Sequence, residues 1–159
     1  LLISQVEAIR STLLESTLLM RDLSQTERYK KNVDLLTTIP GIGVTIAMCI
    51  LTEVYDVSRF RNEREFASYL GLIPTTHSSG DKTMHGEMTF RGNKQLSTMV
   101  IEAAWVAIGR DFGLGSLYHH YRERLKPQEA IVRIARKLSN VIFAVLKNRT
   151  EYVPYYVDN

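Results

Sequence analysis

Residues 35–47 read Leu35-Leu36-Thr37-Thr38-Ile39-Pro40-Gly41-Ile42-Gly43-Val44-Thr45-Ile46-Ala47, and the punctuation in their middle decides the kind of fold the chain adopts. Leu35 and Leu36 close a short apolar helix, Pro40 stops it, and the two glycines permit a tight turn. The apolar run from Val44 to Val54 then reads as a second helix. The pattern of an apolar residue, x-Gly-Ile-Gly, and an alanine four residues after the last glycine is that of a helix-hairpin-helix. Glycines without a Cβ let backbone N–H groups approach an anion, and the following helix turns its positive end towards the same anion. Gly41, Ile42, Gly43 and Thr45 are therefore candidate phosphate-binding residues. Such a contact grips a nucleic-acid backbone without reading bases. The competing interpretation is an ordinary Gly-terminated helical turn, because short glycine motifs recur by chance.

Outward from the hairpin the chain reads as mainly α. Upstream, Leu2, Val6, Ile9, Leu13, Ser16, Met20 and Leu23 alternate four and three apart, the seam of a coiled coil. A long first helix over residues 1–32 follows, and it needs either the rest of the chain or a second copy to bury that seam. Downstream, Asp56 to Asn62 reads as a loop, with Asn62 capping a helix from Glu63 to Leu70 that Gly71 closes. Between Ile73 and Gly92 periodicity disappears, and Pro74 to Lys82 is rich in turn and hydroxyl residues. A short hairpin over Thr83 to Thr89 is one expectation there. Helices are predicted from Asn93 to Gly109, Leu114 to Leu125, and Pro127 to about Lys147, the last with its apolar stripe at Ile131, Ile134, Ala135, Leu138, Val141, Ile142 and Val145. The division expected is a coiled-coil helix (1–32), a helical domain with one long irregular loop (33–149) and a tail (150–159).

Composition excludes several classes. The 159 residues are 45% hydrophobic and 23% charged, with a net charge of +3, which fits one compact soluble domain. No stretch of about 18 apolar residues exists to span a bilayer, so no membrane partner is expected. The single cysteine, Cys49, permits no internal disulfide and points to a reducing, cytoplasmic setting, with nucleoid association if the partner is DNA. The chain opens at Leu1 without a methionine, which reads as part of something longer. From Arg110 to Arg149 nine basic residues face three acidic ones, so the C-terminal third is either a phosphate-facing surface or a solvated helix face. His119-His120 lacks companions at metal-ligand spacing; surface histidines or a phosphate contact remain. Trp105 among Ala103, Ala104, Val106 and Ile108 is read as core.

The order Thr38-Ile39-Pro40-Gly41-Ile42-Gly43, Arg59-Phe60, Ala67-Ser68-Tyr69-Leu70-Gly71-Leu72-Ile73-Pro74, Ser79-Gly80, Arg91-Gly92-Asn93-Lys94-Gln95-Leu96, Ala103-Ala104 and Ile134-Ala135-Arg136-Lys137-Leu138 resembles the C-terminal domain of the IS110/IS1111 bridge-RNA-guided insertion-sequence transposases and of the related Piv-type DNA invertases. The resemblance covers about residues 33–148. It implies a two-part enzyme that cuts and rejoins double-stranded DNA: an N-terminal RNase-H-like domain whose acidic residues bind magnesium, and a C-terminal domain that supplies a nucleophilic serine. That serine falls on Ser79, in the Ser79-Gly80 step. By chemistry alone Ser78 is its rival. The acidic set lies outside this segment, so no metal ligand and no cofactor is assigned to these residues. The family's coiled coil matches the first helix and implies a homo-oligomer, with a bridge RNA as guide in the full protein. Cations expected at phosphates are Lys82, Arg91 and Lys94 near the loop, and Arg133, Arg136 and Lys137 on the last helix. Where the family carries an arginine after Gly-Asn-x-x-Leu, this chain has Ser97, which removes one such contact. Two other classes stay open, a non-catalytic DNA tether and an oligomerisation domain.

Overall fold

A computed structural model describes residues 1–73 and 88–154, the side chains of the second block from 94 onwards. Among these residues the chain is helical throughout, with seven α-helices and one 3₁₀ turn. In order they are α1 (Leu2–Ser24), α2 (Lys30–Thr37), α3 (Val44–Val54), the 3₁₀ turn (Val57–Arg59), α4 (Glu63–Tyr69), α5 (Met88–Arg110), α6 (Phe112–Arg122) and α7 (Pro127–Asn148).

α7 is the centre. It begins on Pro127, whose missing N–H costs nothing in a first turn, and packs against α2, α4, α5 and α6. Its buried stripe holds Ile131, Ile134, Ala135, Leu138 and Ile142 at the 3.6-residue period, with Phe143 resting on Phe66 of α4 at 5.6 Å. α5 and α6 form an antiparallel pair around Asp111, whose carboxylate accepts from the Leu114 N–H (2.8 Å) and so caps α6. Gly115 lets α6 lie close to α5, since a Cβ there would sit 2.7 Å from the Ile108 carbonyl oxygen. The C-terminal tail is tied down at two points: the Tyr152 hydroxyl donates to Asp111 (2.7 Å), and its N–H donates to the Thr38 hydroxyl (2.9 Å).

Several boundaries differ from those the sequence predicts. The first helix ends at Ser24 rather than near residue 32, because the Ser24 and Thr26 hydroxyls take the Arg21 and Leu23 carbonyls and a turn separates it from α2. α5 starts at Met88 rather than Asn93, running through Gly92; a lone glycine costs a helix only about 1 kcal/mol. Met88 and Thr89 are thus helical, and the remainder of the anticipated hairpin lies outside the described residues. α6 starts two residues before Leu114 and ends at Arg122, because Asp111 is its cap. Trp105 is 44% exposed, not core, with its ring edge on Tyr118 at 5.7 Å. Asn62 caps α4 by accepting from the Glu65 N–H, and Gly71 ends it with φ +74°, both as the residue types require.

Candidate nucleic-acid interface

The Gly-x-Gly turn joins α2 to α3, and its two glycines do different things. Gly41 has φ +86°, and a Cβ on it would overlap the Ala103 carbonyl oxygen of α5. Its bareness is therefore used inside the protein, to let the turn lie on the α5 backbone. Gly43 is extended, exposed, and has nothing near the position of a Cβ. Ile42 between them is 4% exposed, and its N–H donates to the Ile39 carbonyl at 3.1 Å. It seats the turn in the core, and that donor is already engaged.

Gly43 is the N-cap of α3, and no side chain among the described residues caps it. The first intrahelical bond runs from the Ala47 N–H to the Gly43 carbonyl (2.9 Å), so the N–H groups of Val44, Thr45 and Ile46 precede any partner within the helix. Thr45 is exposed beside them. Ala47 is fully buried, which lets α3 pack closely. The arrangement is chemically suited to an anion arriving from solvent along the helix axis.

The other candidate residues do not converge on this point. α3 runs antiparallel to α5: Gly41 lies at Ala103, while Cys49, Thr52 and Glu53 share a small cavity with Gln95, Leu96 and Met99. Lys94 is exposed at that far end, about 15 Å of α3 away from Gly43. Arg91 belongs to α5 one turn earlier; its side chain, like all of Ser79 and Lys82, lies outside the described residues. Arg133, Arg136 and Lys137 occupy the first half of α7. The opposite end of α7 is the one beside Thr38, where the tail is bonded, so Arg133 lies about 20 Å along the helix from it. Arg136 differs from its neighbours in having its Nη1 buried without a hydrogen-bond partner, as has Asn140 Oδ1.

Ser97 donates its hydroxyl to the Lys94 carbonyl within α5 (2.9 Å). Arg59 lies over both Phe60 (4.8 Å) and Tyr69 (4.7 Å), so the Arg59-Phe60 pair is a packing element. Cys49 is half-buried, and burial, followed by the nearby Glu53 charge, raises its pKa; the thiol stays protonated at neutral pH and is a poor nucleophile. Among the described residues no three His, Cys, Asp or Glu side chains come together as metal ligands. His119 and His120 are exposed on α6. Sequence reasoning overlooked Tyr121 and Arg124, which line a cleft with His120, Leu125 and Arg133; aromatic residues interleaved with cations over 119–124 were the available signal.

Compared with known proteins, the chain falls among transposases. The family described as "Transposase IS116/IS110/IS902 family" matches residues 33–120, more than half of the chain, and the chain belongs to that family. It is 38% identical over 120 residues to the insertion element IS110 uncharacterized 43.6 kDa protein of Streptomyces coelicolor, covering 74% of this chain and 29% of that one. It is 27% identical over 139 residues to the transposase for insertion sequence element IS1111A of Coxiella burnetii, with 82% and 37% covered. To the pilin gene-inverting protein of Moraxella bovis it is 30% identical over 131 residues, with 80% and 40% covered. The chain thus spans roughly a third of the length of these relatives.

Proposed function

We propose that this chain is the DNA-handling, serine-bearing part of a transposase or site-specific recombinase that cuts and rejoins duplex DNA. The observation that carries the proposal is the family match over 33–120, which includes the Ser79-Gly80 step. In this reading Ser79 Oγ attacks phosphorus, a phosphoserine bond forms as a sugar hydroxyl leaves, and a hydroxyl of the incoming strand later reverses the bond. A lone serine hydroxyl is a weak nucleophile at neutral pH, so this chain by itself neither cuts DNA nor becomes attached to it. Activity belongs to the longer protein, in which an RNase-H-like domain holds magnesium and a bridge RNA selects the target.

The duplex is held in part by the start of α3. Gly43 and Thr45 receive a phosphate on the open N–H groups, while Gly41 and Ile42 fix the turn against α5 and the core. This supports a helix-hairpin-helix grip that positions without specifying. Lys82, Arg91, Lys94, Arg133, Arg136 and Lys137 are proposed further phosphate contacts. α1 is proposed as the oligomer contact, because Leu2, Val6, Ile9 and Leu13 are 60–77% exposed.

The direct test uses the full-length protein with guide RNA, magnesium and target DNA. A covalent protein–DNA adduct is expected, mapping by mass spectrometry to Ser79, and Ser79→Ala should abolish strand exchange while leaving DNA binding intact. Ser78→Ala should be tolerated. An adduct on Ser78, or full recombination by Ser79→Ala, overturns the assignment, and a purely tethering domain would show neither adduct nor loss.

A further inference from the structure

The corner where α6 hands over to α7 holds a cleft of about 270 Å³ lined by His120, Tyr121, Arg124, Leu125 and Arg133. The local chain is held in shape: Arg122 Nη1 donates to the Leu125 carbonyl (2.7 Å), and Glu129 accepts from the Lys126 N–H (3.4 Å) at the start of α7. Arg133 lies over the Tyr121 ring, its guanidinium carbon 5.6 Å from the ring centre. Arg124 and Arg133 are both exposed, and His120 Nδ1 lies 3.6 Å from the Glu123 carboxylate at this corner.

We infer that this cleft binds one unpaired nucleotide of a nucleic-acid strand. Arg133, propped on Tyr121, presents a flat outer face on which a base stacks, Leu125 supplies the apolar wall, and Arg124 reaches the phosphate. Shape argues for an unpaired nucleotide over a duplex. Duplexes are read by elements that protrude into a groove, whereas this site is concave and its volume of about 270 Å³ falls just below the range of ligand pockets, roughly 300 Å³ upwards. Cations with a stacking plane are the composition of single-strand sites. The inference concerns a surface apart from the start of α3 and stands independently of the serine assignment; of the phosphate contacts proposed above it shares Arg133 alone.

The test is fluorescence anisotropy on the 159-residue chain with labelled twelve-nucleotide oligo(dT), oligo(U) and a twelve-base-pair duplex. Arg133→Lys keeps the charge and removes the plane, so single-strand affinity should fall about tenfold while duplex affinity stays within about twofold. Arg124→Gln should lower the slope of log affinity against log salt by about one contact. Adding oligo(dU), which differs from oligo(U) by the 2′-hydroxyl alone, identifies the sugar, and tighter oligo(U) than oligo(dU) binding would assign a 2′-hydroxyl contact. Both substituted residues are exposed, and circular dichroism should match the unsubstituted chain. Arg133→Lys binding single strands as tightly as the original overturns the inference, because a bare phosphate or phosphopeptide site needs charge and no plane. Equal losses on single strand and duplex also overturn it, by reducing the cleft to general backbone attraction. The two proposals fail separately, since Gly43→Asp tests the α3 grip through overall backbone affinity whereas Arg133→Lys tests the cleft through the ratio of single-strand to duplex affinity.

Discussion

Gly41 and Gly43 are two residues apart and chemically identical, yet the fold uses one and leaves the other to solvent. At Gly41 the left-handed backbone and the Ala103 carbonyl both exclude a side chain. Gly41→Ala should therefore cost at least about 2 kcal/mol of stability, from the strained φ and the forced separation of the turn from α5; chemical denaturation would measure it. The glycines were legible in the sequence as a tight turn, and Gly71 and Asn62 as helix punctuation, because each answers a local backbone requirement. That Gly41 serves α5 was not legible, since its partner lies 62 positions away and no local pattern encodes a contact with a backbone carbonyl. The same limit explains Ile42. An apolar residue between two glycines looks like part of a ligand loop until its burial is known. Trp105 erred in the opposite sense, as alanine neighbours imply a core face while the helix turns the indole outwards to Tyr118.

At the scale of elements, α3 and α7 were readable nearly residue by residue, because Gly43 and Val54 bound one and Pro127 opens the other with an unbroken apolar stripe. α6 begins two residues and ends three residues before the bounds the sequence suggests, because Asp111, directly after α5, caps it locally by accepting from the Leu114 N–H. That carboxylate carries more than a cap. It accepts from Leu114 and from Tyr152, so one side chain joins the α5–α6 corner to the tail. Asp111→Ala should destabilise the protein by about 2–3 kcal/mol, and Tyr152→Phe by about 1 kcal/mol. Thermal unfolding monitored by circular dichroism should rank the two in that order. If both lose the same amount, the cap contributes nothing and the tail contact alone matters.

At the scale of the whole molecule, the exposed stripe of α1 is the feature the fold leaves unfinished. Only its last turns meet the body of the protein, with Leu19, Met20 and Leu23 bordering a cavity against Met48, Cys49 and Thr52. Burying Leu2, Val6, Ile9 and Leu13 in a paired helix would gain roughly 1.5–3 kcal/mol for each side chain fully covered, enough to favour self-association. Val6→Lys with Leu13→Lys should yield a monomer by sedimentation velocity, where the unsubstituted chain sediments as an oligomer. A monomeric unsubstituted chain at high concentration would overturn α1 as the oligomer contact. Of the proposed oligomer contact, α3 grip and nucleophilic serine, the grip is the part this chain can be asked about directly. Gly43→Asp places a carboxylate at an N-cap whose geometry suits it and whose surroundings are open. It should raise thermal stability, by up to about 1 kcal/mol, because the side chain takes the same N–H groups that a phosphate would. Duplex DNA affinity, measured by anisotropy at low salt, should fall about tenfold in that better-folded protein. Undiminished affinity in Gly43→Asp would contradict the claim that α3 holds the DNA backbone.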